Sequence, residues 1–161
     1  MRILVAVDGS KDSTRAVQHV GRLLRSTPAV TVTLFHVLNP LPPVLREHGG
    51  SEDPAREEEL GRQLRRERKD WYKQEQRLES PILSKARRTL ERTGFHASRI
   101  RMKFGYGEDI VETILEEARK GGYQAIVVGR RGVSGLKSLF FGGITRRLLK
   151  QAGGYAVWVV E

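Results

Sequence analysis

The sequence predicts an α/β fold in one domain spanning 1–161: a five-stranded parallel sheet with helices on both faces and a charged helical insert at about residues 40–80. Three observations carry this. Five short apolar runs alternate with segments of helical periodicity in the order β-α-β-(insert)-α-β-α-β-α-β. A chain of 161 residues is long enough for one full core, since a domain of this size buries roughly 70% of its unfolded surface. A glycine-rich loop joins the fourth strand to the last helix, where parallel α/β sheets place their ligands.

Ile3–Val7 is apolar and β-branched and reads as a strand buried on both faces. Asp8-Gly9-Ser10 breaks it, and Asp12 or Ser13 is the expected cap of a helix in which Ala16, Val17, Val20, Leu23 and Leu24 recur at helical spacing. Val30–Val37 alternates β-branched residues as a second strand, which Pro40, Pro42 and Pro43 end. Ala55 to Leu78 is helical in spacing, but its apolar stripe is thin: Leu60, Leu64, Trp71 and Leu78. Pro81 is expected to interrupt it, with a separate amphipathic helix over Ile82–Thr93 stopped by Gly94. Ser98–Phe104 reads as a third strand and Glu108–Lys120 as a helix, acidic first and basic last, as its dipole favours. Ala125–Val128, a helix ending near Gln151, and Tyr155–Val160 complete the chain.

Composition narrows the function. The absence of cysteine excludes disulfides, thiolate chemistry and Cys-ligated metals. The opening residues do not form a signal peptide, and no stretch approaches the ~18 apolar residues of a membrane span, so a cytoplasmic location without membrane attachment is expected. The net charge is +10. Nine basic and ten acidic residues fall in Arg46–Glu79, leaving 20 basic and 9 acidic of the total 29 and 19 for the rest. The excess sits on the globular part, where it attracts anions generally without specifying nucleic acid. His19, His36, His48 and His96 are scattered without metal-ligand spacing, and no metal site is expected. Trp71 and Tyr72 read as anchors of their own helix in preference to a stacking platform for bases.

The chemistry concentrates in Gly129-Arg130-Arg131-Gly132, followed after nine residues by Gly142-Gly143-Ile144-Thr145. Glycines let backbone N–H groups approach phosphate, and a helix start adds free donors and a positive dipole end. Thr145 brings a hydroxyl, and Arg130 or Arg131 a charge. The same glycines also suit tight turns and close packing, and Asp8 suits an Asx turn at a strand–helix junction as well as a ligand contact. No acid/base pair or P-loop lysine stands out, so no catalytic residues and no strong phosphoryl transfer are expected.

The G-x2-G-x9-G pattern, with I-V-V-G-R-R-G-V-S-G-L-K before and G-G-I-T-R-R-L-L after, resembles the nucleotide signature of the universal stress protein family in its ATP-binding branch. The opening I-L-V-A-V-D-G-S, the L-F-H-V strand and the Gly107-Glu108-Asp109-Ile110 turn are similar too, so the likeness covers all but Asn39–Ser80. The resemblance implies an adenine nucleotide alpha hydrolase-like sheet in the order 3-2-1-4-5, and a homodimer through strand 155–160. It implies ATP as ligand, with or without Mg2+, or AMP or ADP in its place. Carried over by motif, Val7 and Asp8 would contact the nucleotide, Val37 the adenine, and Val128, Gly129, Arg131 and Gly132 the ribose and phosphates. Gly142, Gly143, Ile144 and Thr145 would hold the phosphates. One departure is visible: Gly143 stands where the family pattern has Ser or Thr, which keeps the backbone donor and removes a hydroxyl. The expected function is nucleotide-binding regulation in a stress response with slow or absent hydrolysis. Two alternatives are a nucleotide-free interaction module acting through the basic face or the 55–78 helix, and an enzyme of the same fold.

Overall fold

The computed structural model describes residues 1–46, 50–131 and 142–161. Strands β1 (Arg2–Ala6), β2 (Thr31–Val37), β3 (Ile100–Gly105), β4 (Ala125–Gly129) and β5 (Ala156–Val160) form one sheet in the order β3-β2-β1-β4-β5. Every neighbouring pair is parallel, and central β1 sets Val5 opposite both Leu34 and Val127. This is the topology that the resemblance implies.

Alternating side chains feed two cores. Ile3, Val5, Val32 and Leu34 pack beneath helix α1 (Lys11–Leu24) and the second half of helix α3 (Pro54–Arg92), through Val17, Val20, Leu83 and Leu90. Leu4, Phe35, Ile126 and Val128 face α4 (Ile110–Gly121) and α5 (Gly143–Gln151), through Ile114, Leu115 and Leu148. Each fully buried Leu, Ile or Val contributes about 1.5–3 kcal/mol relative to exposure. A single turn, α2 (Pro43–Arg46), precedes α3. Among the described residues no helix is long and apolar enough to cross a membrane.

Local structure departs from the sequence expectation in several places. The N-cap of α1 is Ser10, whose Oγ accepts from the Ser13 N–H at 3.0 Å; neither Asp12 nor Ser13 caps it. Ala97–Arg99 is a short 3-10 turn, and β3 begins only at Ile100. The insert does not end near residue 80. Helix α3 runs unbroken for 39 residues, with Pro81 inside it. Proline 81 cannot donate to the carbonyl of Arg77 four residues back. The Ser80 hydroxyl donates to that carbonyl at 3.0 Å, which satisfies the acceptor and lets the helix continue. Of the expected anchors, Leu64 is buried whereas Leu78 is 64% exposed. Trp71 is half-buried edge-on against Tyr72, which meets Tyr106 just beyond β3. Arg68 donates to the Leu45 and Arg46 carbonyls, tying α2 to α3.

Candidate functional site

Strand β1 has β2 on one side and β4 on the other, so the chain reverses its direction of winding at β1, the place where open parallel sheets form a crevice beyond their carboxyl ends. A cleft lies there. Of the residues expected at a site, Val7, Asp8, Val37, Val128, Gly129, Arg131, Ile144 and Thr145 line it. Gly142 and Gly143 are not on its wall; they open α5, whose Ile144 and Thr145 are. Gly132 and the rest of 132–141 lie outside the described residues, as does His48. The lining also includes Ala6, Ser13, Phe35, His36, Ile110 and Ile114, which sequence reasoning did not select. The wall is mainly apolar, with a few converging polar groups, as is usual for small-molecule sites.

Each polar group is fixed by its neighbours. The Asp8 Oδ1 accepts from the Ser10 N–H at 3.0 Å, an Asx turn that carries the chain from β1 into α1. Asp12, freed from capping, reaches across to β4: its Oδ2 accepts from the Arg131 N–H at 3.2 Å and lies 3.9 Å from the Arg131 Nε. The approach of α1 to the end of β4 requires Gly129 to be glycine. A Cβ there would stand 2.6 Å from the Asp12 carbonyl carbon and 2.7 Å from the Ser13 nitrogen. The packing role considered for this glycine is therefore real, whatever else it does.

The Thr145 hydroxyl, buried, donates to the Gly129 carbonyl at 3.0 Å and clamps the start of α5 to β4. The Gly142 N–H donates to the Arg130 carbonyl at 3.0 Å. The first backbone bond of α5 runs from the Arg146 N–H to the Gly142 carbonyl. The N–H groups of Gly143, Ile144 and Thr145 thus precede the intrahelical ladder and carry the positive end of the dipole. Gly143 itself has no positive φ, and a Cβ on it would meet nothing within 4 Å.

His36 closes the wall on the β2 side. Its Nδ1 is 2.7 Å from the Val7 carbonyl, so that nitrogen carries the proton and donates. Its Nε2 lies 3.4 Å from the Glu79 carboxylate on α3. One imidazole therefore couples the long helix to the end of β1. The signal in the sequence was its place in the L-F-H-V strand, one residue before Val37. On the other side, Asp109 caps α4, accepting from the Val111 and Glu112 N–H groups, and pairs with Arg147 of α5 at 2.5 Å. The Arg147 guanidinium and the cap bonds hold the Asp109 carboxyl below the usual carboxylate range.

The arrangement can accept a flat apolar group beside Val7 and Val37 and an anion at the start of α5. No curated protein shows significant sequence similarity to the chain. Solved structures share its fold. A universal stress protein in complex with cAMP superposes with a TM-score of 0.68 at 18% identity, over 100% of this chain and 97% of that one. The universal stress protein from Archaeoglobus fulgidus in complex with dAMP gives 0.59 at 18%, over 100% and 98%. A universal stress protein family protein from Arabidopsis thaliana with AMP bound gives 0.59 at 18%, over 99% and 90%. The all-parallel sheet and its order are those of the adenine nucleotide alpha hydrolase-like fold. The model of the universal stress protein family matches residues 1–160, and on that match the chain belongs to the universal stress protein family.

Proposed function

We propose that the cleft binds an adenine nucleotide, with ATP the expected ligand and AMP or ADP its nearest substitutes, and that binding regulates the protein with slow or absent hydrolysis. The observation that carries this reading is one crevice that joins an apolar slot to the N-terminus of α5. In this reading the adenine lies toward Val7 and Val37, and the ribose toward Asp8, Val128 and Gly129. The phosphates take the N–H groups of Gly143, Ile144 and Thr145, with Arg131 and Gly132 at their border. The Thr145 hydroxyl, already bonded to β4, positions these donors. Asp8 is the carboxylate on the described wall and is the residue that would hold Mg2+ accompanying the phosphates. Slow hydrolysis fits the engagement of the polar groups: Asp8 is held in its turn and His36 on Val7. The cAMP, dAMP and AMP in the related structures support the ligand class.

The test is mass spectrometry of nucleotide released from the denatured protein, followed by titration calorimetry of stripped protein with ATP and AMP. The parent should bind, and Gly142→Val should lose binding, because a β-branched side chain at the N-cap crowds the donors of α5. Unaltered affinity in Gly142→Val removes the start of α5 from the site. If neither ATP nor AMP binds the parent, the reading is refuted and an interaction module is favoured.

A further inference from the structure

The seam between α1 and α3 holds a second groove, with about 590 Å3 of open space. Its walls are Gln18, Arg22 and Arg25 from α1 and Thr89, Arg92 and Thr93 from the end of α3. These positions fall at i, i+4, i+7 on α1 and i, i+3, i+4 on α3, so each set forms one stripe of its helix. The helices pack closely at Gly21, where a Cβ would stand 2.1 Å from the Thr93 Oγ1 and 2.9 Å from the Leu90 side chain. Arg22 and Arg25 line the groove from the α1 side and Arg92 from the α3 side, all three exposed.

No carboxylate lines this groove among the described residues. Glu91, the sequence neighbour of Arg92, pairs with Arg87. Capping accounts for Arg25 but not for Arg22 or Arg92. Arg99 donates to the Arg25 and Thr27 carbonyls at the end of α1, and the Thr93 hydroxyl donates to Leu90 at the end of α3. Arg25 reaches across to the Thr93 carbonyl at 3.5 Å. Among the described residues, the Arg22 and Arg92 side chains make neither a hydrogen bond nor an ion pair. Three guanidinium groups, offset by two helix C-termini of about half a negative charge each, leave roughly two positive charges facing one groove. A bound anion would neutralise part of this charge.

We propose that this groove binds a small phosphorylated anion, a phosphoryl dianion or short oligophosphate. Guanidinium forks from Arg22 and Arg92 would grip its oxygens, and the Gln18 amide would supply a further hydrogen bond; the Thr89 and Thr93 hydroxyls are committed to the Lys85 and Leu90 carbonyls. Guanidinium geometry matches phosphate oxygens in pairs, and such charge-assisted bonds are the strong ones. Ser13 of α1 lines the cleft and Arg22 lines the groove nine residues further on, about 14 Å along the helix at 1.5 Å per residue, so the inference does not depend on the nucleotide reading.

The experiment is a titration of the full chain with pyrophosphate at physiological salt, followed by backbone amide shifts. Saturable shifts are expected at Gly21, Leu24, Thr93 and Gly94. Arg22→Gln with Arg92→Gln should weaken binding at least tenfold, given the strength of bonds to charged groups. Arg56→Gln with Arg66→Gln, exposed on the distant half of α3, removes the same charge and should change affinity less than twofold. Circular dichroism melts check that both pairs fold. Equal weakening by the two pairs reduces the effect to diffuse attraction and overturns the proposal. Non-saturating shifts, or shifts confined to the start of α5, overturn it as well. So does an oligonucleotide that shifts these amides when pyrophosphate does not.

Discussion

Gly143 opens α5 beside the proposed phosphate donors, and its geometry decides what a replacement would do. It is the first residue of α5, has no positive φ, and has open space where a Cβ would stand. Serine fits there without strain and adds a hydroxyl beside the α5 donors. A hydrogen bond to a charged acceptor contributes about 1.5–3 kcal/mol. Gly143→Ser should therefore tighten ATP binding roughly tenfold, since 1.4 kcal/mol is a factor of ten; calorimetry reads this, and unchanged affinity places the phosphates away from residue 143. Gly129 behaves oppositely. Alanine there collides with the α1 backbone, and overpacking of this kind costs about 1–3 kcal/mol, so urea should unfold Gly129→Ala at a lower midpoint. Asp109 gives a pH signature. Its folded pKa is depressed, so its contribution is present above the unfolded pKa and is lost as pH falls through the folded value. Asp109→Asn keeps a cap but loses the charge; it should melt lower than the parent at neutral pH, and the difference should shrink on acidification. Much of this site was readable from sequence, because glycines and Asp8 occur where strands end. What was not readable was which polar group serves folding. That Thr145 bonds Gly129, that Asp12 bonds Arg131 and that His36 bonds Val7 depends on chain segments far apart in sequence.

Helix α3 shows where local rules mislead. Proline lacks the N–H that a helix interior needs, so Pro81 reads as a break. The Ser80 hydroxyl on Arg77 satisfies the orphan carbonyl, and Ile82, Leu83, Ala86 and Leu90 hold the following turns on the sheet. Packing overrides propensity here. The strands were readable because β-branched apolar runs have few other uses, and their bounds moved by only a residue or two. The α1 cap was misassigned because Ser10, Asp12 and Ser13 are all good caps, and only the fold shows that Asp12 is engaged by Arg131. If Pro81 is only tolerated, Pro81→Ala should stabilise the protein by about 1–3 kcal/mol in urea unfolding, because proline is about 3 kcal/mol worse than alanine in a helix interior. A loss of stability would mean that Pro81 is needed to seat both halves of α3. Trp71 tests the first half. It stacks edge-on with Tyr72, which meets Tyr106, and Gln76 donates to the Tyr106 hydroxyl. Trp71→Ala should speed proteolysis within the first half of α3 while leaving the global melt nearly unchanged. Unaltered cleavage would show that Leu64 and the Arg68 bonds to α2 suffice.

Strand β5 is the outermost strand next to β4, and its exposed edge bears on assembly. Its sequence, Ala-Val-Trp-Val-Val, is apolar throughout, and Val157, Trp158, Val159 and Val160 are only half-buried. An apolar edge left uncovered invites pairing with another chain. The direction of the edge groups follows from the ladder: the Ala156 N–H donates to the Gln124 carbonyl, and the Arg130 N–H donates to the Val160 carbonyl. Residues 156, 158 and 160 therefore face β4, and by the two-residue period the N–H groups of Val157 and Val159 face outward. Two copies related by a two-fold axis would pair these edges and continue the sheet through both subunits. The intact protein should accordingly show twice the 18.2 kDa chain mass in light scattering at micromolar concentration. Removing Tyr155–Glu161 should cause aggregation, since it strips the cover from β4. Val159→Pro is the sharper test. It deletes one outward donor without touching the ladder to β4, and proline is tolerated on an edge of this kind. The variant should keep its circular dichroism and melt but scatter as a monomer. A monomeric parent would refute dimerisation, and a folded Val159→Pro variant that stays dimeric would move the interface off β5.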